Sequence, residues 1–93
     1  MARQYELHLG GNDIDTAITY LVRVGGHFTA RRREVQINGV TTTKVYYGDQ
    51  SHVHLFDVTP LGDGRISVSV PGIILPYLRR SKIEEVQDAL SGK

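Results

Sequence analysis

Arg31, Arg32 and Arg33 follow one another directly ahead of the stretch EVQINGVTTTKVYY, in which Asn38-Gly39 stands between β-prone residues. Guanidinium groups stay charged at any physiological pH and bind phosphate oxygens bidentately, so a run of them reads as anion-binding chemistry. What they can do together depends on where each one points. Both central positions of a type I′ turn need positive φ, which Asn and Gly tolerate best, and a two-residue turn at Asn38-Gly39 sets the register of the strands around it. Ile37 then faces Val40, Val35 faces Thr42, Arg33 faces Lys44 and Arg31 faces Tyr46, all on one side. The other side carries Gln36 with Thr41, Glu34 with Thr43, Arg32 with Val45 and Ala30 with Tyr47, with Phe28 beyond.

In that register Arg33 and Lys44 are like charges directly across a pair, a locally unfavourable arrangement for which folding gives no reason. Phosphates would neutralise it, and Tyr46 beside Arg31 could stack on an unpaired base. A basic, partly aromatic β-ribbon can enter a groove or follow a backbone. The competing explanation is plain solvation, since arginines on an edge strand also protect a sheet against aggregation. The apolar residues near the base (Phe28, Ala30, Val45, Tyr47) and those near the tip (Val35, Ile37, Val40) fall on opposite faces. The hairpin is therefore expected to twist strongly, to bulge near Arg31 to Arg33, or to project and use its tip.

Other residues invite chemistry less strongly. Arg79 and Arg80 precede a capped helix, whose N-terminal N–H groups favour anions, although Glu84 and Glu85 can satisfy the same arginines. His52 and His54 in SHVHLF have a spacing able to chelate zinc, but His8, His27, Asp49 and Glu6 are the only loosely plausible further donors and none stands at diagnostic spacing. No metal or cofactor is expected. The same histidines, with His27 and an arginine or Lys44, could cleave RNA by general acid–base catalysis; alternation instead puts His54 with Phe56 and Val58, the pattern of a packed sheet residue. The loop LGGNDID lacks the Lys of a Walker loop and the third glycine of a dinucleotide loop, so Asn12 and Asp13 read as helix caps.

The elements that must position these residues follow from periodicity. QYELHLG alternates as a first strand, and Ile14, Ala17, Ile18, Leu21 and Val22 recur at helical spacing up to Gly25 and Gly26. Strands follow at about 28–37 and 40–47, then in HVHLFDV and RISVSV. PGIILPYLRR, with two prolines, reads as a connector lying across the core. SKIEEVQDAL forms a last helix with Ser81 and Glu84 as a capping box. The expected fold is α+β, an antiparallel four- to five-stranded meander sheet with two helices, in the order β-α-β-β-β-β-α.

Ninety-three residues, 40% of them hydrophobic, fit one small domain with one core, and no apolar window is long enough for a membrane span. The chain has no cysteine, which excludes disulfides and thiolate chemistry. A cytoplasmic protein is the expectation. The net charge is only +1, but residues 23–44 carry +4 while residues 45–64 carry −3. The leading expectation is a non-enzymatic module that contacts nucleic-acid backbone, DNA or RNA undecided, through Arg31, Arg33, Lys44 and Tyr46, helped by Arg32, Arg79 and Arg80, with no specific reading of bases. The alternatives are a module for an acidic protein partner, such as a small inhibitor or adaptor of phage or mobile-element type, and a metal-independent ribonuclease. If part of GIILPYL is exposed, a homodimer through that segment or the hairpin tip is expected.

Overall fold

Alternating apolar residues in five segments build one antiparallel sheet, and the computed structural model describes residues 3–26, 29–48 and 53–92 of it and its helices. The strands are β1 (Gln4–Gly10), β2 (Ala30–Ile37), β3 (Val40–Tyr47), β4 (His54–Pro60) and β5 (Arg65–Pro71). Their order across the sheet is β1-β5-β4-β3-β2. Helix α1 (Ile14–Val24) follows β1, and α2 (Arg80–Leu90) closes the chain. The α+β class and the element order are as the sequence predicts. No described helix is long and apolar enough to cross a membrane.

Both helices pack on the same side of the sheet, the side that carries the continuous apolar core. Leu9, Ile66, Val68, Val70, Phe56, Val58 and Val45 point into it, and Ala17, Ile18, Leu21 and Val86 meet them from the helices. The opposite side carries Ser, Thr, Arg, Lys and His side chains and is left open. Asp13 caps α1: its carboxylate accepts from the Thr16 amide at 3.1 Å and the Thr16 hydroxyl at 2.7 Å. Gln87 of α2 clamps β1, accepting from the Gly10 amide at 2.7 Å and donating to the Gly10 carbonyl at 2.9 Å. The connector is as irregular as its prolines require. It makes one 3₁₀ turn at Leu75–Tyr77, buries Leu78 and leaves Ile73 exposed.

Two expectations are corrected. Helix α2 starts at Arg80 with Arg79 in the cap position and no side-chain cap bond, so Ser81 already lies inside the helix. The bulge is not near Arg31 to Arg33; β2 and β3 pair without interruption from Ala30↔Tyr47 to Ile37↔Val40. It falls in β4, where Val45↔Phe56 is followed by Tyr46↔His54, so that Leu55 is the extra residue. Leu55 and Phe56 are both buried as a result. Alternation resumes on the far side of the bulge with His54 on the open face.

Three exposed carboxylates titrate below their ordinary range: Glu6 because it accepts from His8 and Ser67, Asp13 because of Thr16, and Asp63 because of Arg65. A lowered folded-state pKa adds stability that is complete above the ordinary carboxylate range and is lost as pH falls through the lowered value. Melting temperatures measured between neutral and acid pH are therefore expected to hold level down to the carboxylate range and decline below it. Asp13→Asn, which keeps a capping oxygen but cannot ionise, flattens that decline.

Candidate nucleic-acid interface

The Asn38-Gly39 turn forms as its residues predict, with φ of 52° and 79°. With the turn in place, every cross-strand pair of the hairpin follows from it, including Arg33↔Lys44 and Arg31↔Tyr46. Arg31 and Arg33 are two residues apart on β2, about 6.6 Å along the strand, which lets each reach a different phosphate. Both are exposed, and neither makes an ion pair or side-chain hydrogen bond among the described residues. A recess of about 180 Å³ is bounded by Arg31, Arg32, Arg33 and Tyr46.

The bulge in β4 extends this face. Tyr46 and His54 are neighbours across the strands, their rings 5.5 Å apart between centroids. His54 Nε2 is 2.6 Å from Asp57 Oδ1, and Lys44 Nζ is 3.5 Å from Asp57 Oδ2. A row Arg31–Tyr46–His54 therefore runs beside a row Arg33–Lys44–Asp57 on the open face. Farther along, the Thr42 and Thr59 hydroxyls are bonded to each other at 2.9 Å.

The sequence placed His54 with Phe56 and Val58, and that placement is overturned. A signal for it was present in HLFDV: two large apolar residues in succession break a strict alternation, as a bulge does. Asp57 was likewise missed, although it is the carboxylate that orients His54 and tethers Lys44. Of the other histidine-site candidates, His27, His52 and Asp49 lie outside the described residues, as does Phe28. His8 Nε2 is 2.8 Å from Glu6 on the edge strand β1. Among the described residues no group of three or more metal-ligating side chains comes together.

The remaining basic residues are separated from the Arg31–Arg33 pair. Arg32 projects to the helix side, where its Nη1 lies 2.5 Å from Asp15 Oδ1 on α1. Arg79 stands at the start of α2 without a side-chain partner among the described residues, and Arg80 Nε is 3.9 Å from Glu84 Oε1. These two belong to the helix layer, on the other side of the sheet from Arg31 and Arg33. The six candidate basic residues thus divide into Arg31 and Arg33, unpaired among the described residues on the open face, a partly tethered Lys44, and three that face elsewhere. Comparison of the chain with protein-family models, curated proteins and solved structures gives no match.

Proposed function

We propose that the open face of the β2–β3 hairpin binds the phosphate backbone of nucleic acid, with Arg31 and Arg33 as the principal contacts. The observation that carries this reading is that two exposed guanidinium groups, at alternate positions of β2, stand beside Lys44 with no carboxylate partner among the described residues. Exposed like charges on one face repel one another modestly, and an external anion such as phosphate relieves that repulsion through charge-assisted hydrogen bonds. Lys44 joins as a secondary contact, because a phosphate there competes with Asp57. Tyr46, steadied by the His54 ring, supplies a face on which an unpaired base stacks. Nothing in this arrangement favours one base over another, and the module acts by binding, without catalysis.

Titration of labelled single-stranded and duplex oligonucleotides across a range of salt tests it. Three phosphate contacts at about 0.7 each give a log-log slope near −2 for a single strand. Binding that is absent, or that ignores salt, would sink the proposal. Recovery of intact RNA after long incubation supports the non-enzymatic part, whereas cleavage that disappears in His54→Ala would replace it with a ribonuclease.

One observation favours a protein partner as the second reading. Ile37 and Val40, 55% and 43% exposed at the hairpin tip, lie on the same face as Arg33. An apolar tip next to cationic residues is the composition expected of a contact with an acidic protein surface.

A further inference from the structure

The helix side of the same hairpin holds a separate cavity. Helix α1 packs chiefly over β4 and α2 beside β1, and among the described residues neither makes more than slight contact with β2 or β3. A cavity of about 570 Å³ opens there between the first turn of α1 and the two strands. Asp13 and Asp15 line it from the helix, Glu34 and Arg32 from β2, and Thr43 from β3.

Thr43 is the informative residue. It sits in register between Glu34 and Val58, on the core-facing side of the sheet, and is only 7% exposed. Its hydroxyl has no hydrogen-bond partner among the described residues. Val58 and Val45 nearby show the residue type that packing alone selects, and valine would fill the same space without a desolvated hydroxyl. A hydroxyl at this position lines the cavity and is open to a polar group that enters it.

The charge around the hydroxyl defines that group. Three carboxylates face one guanidinium, and they are unequally committed. Asp13 accepts from Thr16, and Asp15 holds Arg32. Glu34 has no ion pair or hydrogen bond among the described residues. The carboxylates do not converge closely enough to hold a metal ion. Ile14 and Pro60 border the cavity and supply apolar surface for a hydrocarbon stem. The Arg32–Asp15 pair already places one guanidinium in this environment.

We infer that the cavity is a binding site for a cationic head on an aliphatic stem, an alkylammonium or alkylguanidinium, with Glu34 as its counter-charge and the Thr43 hydroxyl as an additional acceptor. A lysine or arginine side chain of a protein partner presents that chemistry, and so does a free polyamine. The site lies across the sheet from Arg31 and Arg33, so its occupancy and nucleic-acid binding succeed or fail independently.

The test uses the isotope-labelled full chain, titrated separately with spermidine and with a blocked Gly-Lys-Gly peptide while backbone amide shifts are followed. At least one probe is expected to produce saturable shifts centred on Asp15, Glu34 and Thr43. Glu34→Gln weakens that binding about tenfold, the order expected for one charge-assisted hydrogen bond, and Thr43→Val weakens it while leaving the melting temperature equal or higher. Tighter binding of the peptide identifies a partner's side chain as the source, and tighter binding of spermidine identifies the free cation. Shifts that never saturate, shifts spread equally over Glu84, Glu85 and Asp88, or binding unchanged in Glu34→Gln would each overturn the inference. Melting curves of both variants establish that a loss is not one of folding.

Discussion

Replacing Arg31 and Arg33 together with alanine lowers affinity for a mixed single-stranded oligonucleotide about a hundredfold at roughly 50 mM salt, taking each charge-assisted contact as about tenfold. The salt slope falls at the same time by about 1.4, two phosphates at about 0.7 each. Fluorescence anisotropy of a labelled strand measures both quantities. The matched control is Arg32→Ala, which removes the same charge from the neighbouring position but on the other face, where Asp15 holds it. Long-range attraction treats the three arginines almost alike, since they lie within about one Debye length of one another. Only direct contact separates them. A large loss in the double variant with little change in Arg32→Ala therefore locates the interface on the open face. Equal losses per charge removed would reduce the effect to diffuse electrostatics, and an unchanged affinity would leave the arginines as solvated edge residues. Arg31→Lys with Arg33→Lys keeps the charge and removes the bidentate fork, so it falls between the parent and the alanine variant if geometry contributes.

Phe56→Ala is expected to destabilise the domain by about 3–5 kcal/mol. The ring is 1% exposed and is among the largest fully buried side chains. It sits where the bulge forces two successive residues into the core, next to Val45 and under the strand that carries Lys44 and Tyr46. At about 4–8 °C per kcal/mol for a domain of this size, melting shifts down by roughly 12–40 °C. A total stability of about 5–15 kcal/mol leaves little after such a loss. Thermal denaturation followed by circular dichroism reads the shift. A change of a degree or two would mean that the β4 bulge does not seat Phe56 in the core. Any loss of oligonucleotide binding in this variant follows the loss of fold, which distinguishes it from the arginine variants, whose melting is expected to stay near that of the parent.

Much of the fold was legible because it rests on local chemistry. The Asn38-Gly39 turn needs two residues that accept positive φ, and once it forms, the pairing of β2 with β3 has no remaining freedom. The same locality made α1 legible through its apolar spacing and its cap at Asp13. The start of α2 differs by two residues from the expected one in the same local terms, with Arg79 in the cap position in place of Ser81. A capping box is a pattern of side chains, and the backbone entered the helix before reaching it.

Alternation on β4 could not reveal which face His54 occupies, because a single extra residue reverses the faces beyond it. Leu55 and Phe56 are both in the core because the helix layer offers room for both, and that room is made by residues distant in sequence. Asp57 became part of the site for the same reason: its partners, Lys44 and His54, are brought to it by pairing across strands. The engagement of Arg32 by Asp15 required knowing that the first turn of α1 comes within side-chain reach of β2, a matter of packing between elements that no periodicity carries.

Residue order alone determined which cationic side chains share a side of the hairpin, because a two-residue turn and a period of two leave one arrangement. Tertiary structure alone decided which of those charges are free, since a carboxylate can neutralise an arginine only after folding brings the two within reach. Among the described residues, that division placed Arg31 and Arg33 on an uncovered face without a counter-charge, Arg32 against Asp15, and the unpaired Glu34 beside a buried hydroxyl on the opposite side.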